Sequence, residues 1–109
     1  MAANFRMIRR RKKNNLHLKL SGDFDGMSAM ELLNVLEENA DTAKKIFIET
    51  DGICTMLPFG RDVFLKNFAI SMAASNKLIF KGDPGQKIAP RGAFCINENH
   101  QHQISNCPN

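Results

Sequence analysis

"LHLKLSGDFDGMSAMELLNVLEE", residues 16–38, changes its hydrophobic period within a few residues. Leu16, Leu18 and Leu20 alternate with His17 and Lys19, the period of two that marks a strand with one buried face and one wet face. His17 is then an exposed strand residue. "GDFDG", residues 22–26, closes the strand, and Ala29, Leu32, Leu33, Leu36 and Ala40 follow at helical spacing as one apolar stripe. Ser28 and Glu31 fit a capping box, in which the hydroxyl accepts from the Glu31 backbone and the carboxylate reaches back.

The flanking sequence extends this strand–helix unit in both directions. Upstream, "FRMIRRR" and the turn signal "KKNN" predict a hairpin partner, because Asn14 and Asn15 tolerate left-handed conformations. Downstream, "KKIFIETDG", residues 44–52, is apolar on both parities and reads as a central strand. "PFGRDVFLKNFAI" places Phe64, Leu65, Phe68 and Met72 on one helical face, with Arg61 and Asp62 in its first turn. "KLIFKG" is a further strand, "DPGQ" a turn, and Lys87–Arg91 a single helical turn that Pro90 stops. The expected class is α/β: a small mixed β-sheet with helices mainly on one face, in the order ββαβαβ. Residues 1–91 form the domain. Residues 92–109 are a polar, Asn-rich tail expected to be loosely ordered.

With 109 residues the chain suits one domain, and no run approaches the ~20 apolar residues of a membrane span. "RRRKK" stands where the apolar part of a secretory signal would lie, so a cytoplasmic protein is expected. The three cysteines, Cys54, Cys95 and Cys107, are an odd number and fit reduced thiols in a reducing compartment. The net charge of +4 is uneven: residues 1–22 hold seven basic groups and no acid. Such an arm can meet nucleic acid or anionic lipid. No aromatic residue interleaves with these charges along the chain, so a solvated edge is the preferred reading.

The succession "LKLSGDFDGMSAMELLNVLEE", "KKIFIETDGI", a Gly-containing turn into a helix, and "KLIFKG" resembles the STAS domain of sulfate transporters and anti-sigma-factor antagonists. Gly22, Asp23, Phe24, Asp25 and Ser28 match that family's loop before its first helix, and the resemblance covers roughly residues 4–90. It implies a non-catalytic regulatory module that binds another protein: an anti-sigma factor, a serine-kinase-like regulator or a signalling assembly. The family's phosphorylated turn, Asp-Ser-Ser/Thr-Gly, is replaced here. With Gly60 on the family's glycine, Leu57, Pro58 and Phe59 fill the three preceding positions and offer no hydroxyl. The partner-binding surface implied by the resemblance joins Asp23 and Asp25 to Met56, Pro58, Phe59, Gly60 and Arg61. Phe59 is either an exposed anchor for a partner or a core residue beside Phe64 and Phe68.

Three other groupings have chemistry in principle. Cys95, His100, His102 and Cys107 are zinc-type donors without the usual paired spacing, so zinc through the tail is the lesser alternative, as is nucleic acid on the basic hairpin. Asp23, Asp25 and Asp51 read as turn and cap residues. "GDPGQ" lacks the spacing and the lysine of a phosphate-binding loop. Met27, Met30, Met56 and Met72 suit core filling or an adaptable interface. No catalytic residue, cofactor or enzyme activity is expected.

Overall fold

The computed structural model describes residues 4–71 and 77–96. The alternation at residues 16–20 belongs to a ten-residue strand, β2 (Asn15–Phe24), paired antiparallel with β1 (Arg6–Lys12). Helix α1 (Gly26–Asn39) leads to β3 (Lys45–Met56), and α2 (Pro58–Ser71) precedes β4 (Leu78–Lys81). A short helix α3 (Asp83–Ile88) and a strand β5 (Phe94–Ile96) complete the described chain. The sheet order is β1-β2-β3-β4-β5, and every pair after the first is parallel. This is a small mixed α/β fold, as the periodicity predicts.

All three helices lie on one face. Leu16, Leu18, Leu20 and Phe24 of β2 and Ile46 and Ile48 of β3 point to that side and are buried. Phe64 of α2 is fully buried and packs edge-on against Phe24 and Phe80, both at 6.4 Å, and against Phe68 at 5.7 Å. Gly85 of α3 sits against Phe80 and Thr50. The buried Thr50 hydroxyl donates to the Lys81 carbonyl at 2.7 Å, which ties β3 to the end of β4. Arg9 and Arg11 of β1 reach α1 and the loop after it: Arg9 pairs with Glu38 at 3.7 Å, and Arg11 donates to Asn39 and Thr42.

Several local expectations are corrected. The N-cap of α1 is Asp25, not Ser28: Asp25 Oδ1 accepts from the Ser28 backbone at 2.9 Å. Ser28 is buried, and its hydroxyl lies 3.0 Å from Asp25 Oδ1 and 3.1 Å from the Asp23 carbonyl. An aspartate three residues earlier outcompetes the serine because its carboxylate meets the positive end of the helix. β3 does not end at Asp51–Gly52 but runs to Met56, with two register shifts against β2 that each absorb one extra residue of β3. Gly22 takes φ 92 at these irregularities, where glycine has no Cβ to clash.

β3 is central, yet its second parity, Phe47 and Glu49, is only half buried because no described helix covers that side. "DPGQ" forms the body of α3, which opens at Asp83 with Pro84 in its first turn, and the helix stops before Pro90. Residues 94–96 of the expected tail add a fifth strand. Met72 and the tail residues His100, His102 and Cys107 lie outside the described residues. Cys95 is an exposed free thiol, but Cys54 is disulfide-bonded, against the expectation of reduced thiols throughout. No helix among the described residues is long and apolar enough to cross a membrane.

Phe64 holds the helical layer to two strands at once. Phe64→Ala should lower the unfolding free energy by about 3–5 kcal/mol, and Phe64→Leu by clearly less. Urea unfolding followed by circular dichroism measures both.

Candidate functional site

The starts of α1 and α2 meet at the carboxyl ends of β2 and β3. The Leu57 N–H donates to the Phe24 carbonyl at 3.1 Å, and the Arg61 N–H opens α2 by donating to Leu57 at 3.0 Å. Gly60 therefore stands inside the first turn of α2 and not in a turn before it. It is buried against the chain entering α1: a Cβ there would come 2.5 Å from the Phe24 carbonyl oxygen and 2.9 Å from Asp25 Cα. Only glycine permits that approach. One residue earlier, the Phe59 ring lies over Gly26, where a Cβ would sit 2.8 Å from the ring edge.

Phe59 is not a core residue. It is 71% exposed, and with Leu57 and Val63 it forms one wall of an open groove. Met27, Met30 and Asn34 form the opposite wall on α1, at the i, i+3, i+7 spacing of one helix face. Met27 is 74% exposed and Met30 45%. Asp25 and Glu31 supply the carboxylates of the lining. The groove thus has a flexible thioether wall, a fixed aromatic wall and an acidic rim.

Of the residues singled out in the sequence, Asp25 and Phe59 line this groove and Gly60 supports it from below. Asp23 contributes its backbone carbonyl to the Ser28 hydroxyl, Met56 packs partly into the core, and Pro58 is the exposed first residue of α2. Arg61 is exposed and turns to its neighbour Asp62 at 3.5 Å. Asp62 falls past the first turn, which holds no acid. Met27 and Met30 were undecided between core and interface from spacing alone; both stand on the edge of α1 beside its buried stripe. Val63 and Leu57 gave no signal, because the crossing of two helices brings them there.

No protein-family model matches the chain, and no curated protein matches it. Among the described residues no three His, Cys, Asp or Glu side chains converge to hold a metal ion. Asp23, Asp25 and Asp51 do not form such a group.

The two adjacent residues of α2 separate packing from presentation. Gly60→Ala should destabilise the fold by about 1–3 kcal/mol through backbone overlap, whereas Phe59→Ala should leave the melting temperature nearly unchanged. Differential scanning calorimetry of the two variants tests this. Equal losses would place Phe59 in the core.

Proposed function

We infer that the protein is a non-catalytic regulatory module that binds another protein through the groove between the starts of α1 and α2. The observation that carries this reading is the exposure of Met27, Met30, Leu57 and Phe59 as one contiguous apolar patch on an otherwise well-packed small domain. Aromatic and methionine side chains are enriched at the centres of interfaces, and the methionines adapt their shape to what they meet. Gly60 fixes the backbone beneath Phe59, so little order has to be gained on binding.

The rim defines the partner's chemistry. Asp25 and Glu31 favour a segment that brings an apolar side chain flanked by lysine or arginine. The STAS resemblance supports the same end of the sheet and suggests an anti-sigma factor or serine-kinase-like regulator. The observed succession of elements from β1 to β4 is compatible with it. Because Leu57, Pro58 and Phe59 carry no hydroxyl, contact here would not be switched by phosphorylation of that turn. A cytoplasmic setting belongs to this reading.

The test places a photo-reactive phenylalanine analogue at position 59 and irradiates the source cells. The expected product is a cross-link to a serine-kinase-like or anti-sigma regulator. The affinity of that purified pair should fall about 10- to 100-fold in Phe59→Ala, corresponding to about 1–3 kcal/mol. An affinity unaffected by both Phe59→Ala and Met27→Ala contradicts the reading.

A further inference from the structure

The sheet face opposite the helices carries a second surface, and the strand register assembles it. Because Arg9 and Arg11 reach toward α1, Arg6, Ile8, Arg10 and Lys12 of β1 stand on the open side. In register, Arg10 faces His17, His17 faces Phe47, Phe47 faces Ile79, and Ile79 faces Phe94. This row crosses all five strands, roughly 19 Å at the usual strand spacing. The next row toward the carboxyl ends of the parallel strands runs Ile8, Lys19, Glu49, Lys81 and Ile96.

Aromatic and cationic groups therefore interleave in space although they do not along the chain. The His17 and Phe47 rings stack at 4.7 Å and 10°, and the Lys81 ammonium lies 5.8 Å from the Phe47 centroid. Phe94 is 60% exposed and Ile8 54%. Across the face stand the cations Arg6, Arg10, Lys12, Lys19, Lys45 and Lys81, against the carboxylate of Glu49; Asp23 and Asp51 lie beyond, toward the strand ends.

We propose that this open sheet face binds single-stranded nucleic acid, with Phe94 and the His17 end of the His17–Phe47 stack meeting bases and the surrounding lysines and arginines meeting phosphates. The charge is complementary to a polyanion, and aromatic rings among cations are what a sequence-tolerant single-strand site requires. A second copy of the chain would set like charges against each other. A lipid surface would need a continuous apolar patch, whereas the exposed Ile8 and Phe94 stand on the two opposite edge strands with Lys19, Glu49 and Lys81 on the strands between them. A duplex hides the base faces that the rings would meet. The surface is on the other side of the sheet from the groove and does not depend on it.

The test titrates the full-length protein into a labelled mixed-sequence single-stranded RNA, the same sequence as DNA, the corresponding duplexes, and phosphatidylglycerol vesicles. The single strands should bind more tightly than the duplexes, with affinity falling steeply between about 50 and 200 mM salt. Arg10→Ser should flatten the slope of log affinity against log salt by about 0.7, one single-strand phosphate contact. Phe94→Ala should weaken binding about tenfold at an unchanged slope. Lys81→Gln, which leaves every ring in place, should act as Arg10→Ser does, and Phe59→Ala should have no effect. The proposal fails if single strands do not bind at about 50 mM salt, if duplexes or vesicles bind as well as single strands, or if folded Phe94→Ala binds like the unchanged protein.

Discussion

The constraint that the helical layer depends on is the contact of Gly60 with the backbone of Phe24 and Asp25. β2 ends there, α1 begins there, and the first turn of α2 is pressed against both. The Leu57–Phe24 hydrogen bond holds β3's exit beside β2's exit, so the two helices must start side by side. From that start Phe64 is carried down onto Phe24 and Phe80, and the helical layer closes over the sheet. The same placement leaves Phe59, one residue before Gly60, lying over Gly26 with most of its surface exposed. The core and the exposed groove thus have one geometric origin.

One-sided coverage explains the rest of the surface. The buried residues of β2 and β3 alternate, so each strand offers the helices one face and leaves the other unburied. β1 sits at the edge with its arginines divided between the two sides: Arg9 and Arg11 serve α1 and the residues after it, while Arg6 and Arg10 belong to the open face. A basic arm that looks uniform in the sequence is therefore two sets of residues with different surroundings. Exposed pairs such as Arg9–Glu38 add little stability, so this charge is better understood through what it meets than through what it holds together.

The fold was largely legible because periodicity reports burial directly: residues 16–20 gave a one-faced strand, and Leu32, Leu33 and Leu36 a one-faced helix. Boundaries were less legible. Ser28 and Asp25 are both good capping residues, and only the path of the chain decides between them. β5 was missed because a three-residue strand at an edge has no period to detect. At the site, the junction around residues 57–60 was visible from Pro58 and Gly60, but not whether Phe59 turned inward. The aromatic–basic face was invisible along the chain, since Phe47 meets His17 and Lys81 only through pairing of distant strands.

The central claim is that the apolar wall built over Gly26 and Gly60 is a partner-contact surface and not incidental exposure. Methionine-oxidation footprinting of the free protein and of its complex with the protein cross-linked at position 59 tests it most directly. In the free protein Met27 and Met30 should oxidise faster than the half-buried Met56; in the complex both should become protected while Met56 is unchanged. Rapid oxidation of Met27 and Met30 that persists in the complex would contradict the account.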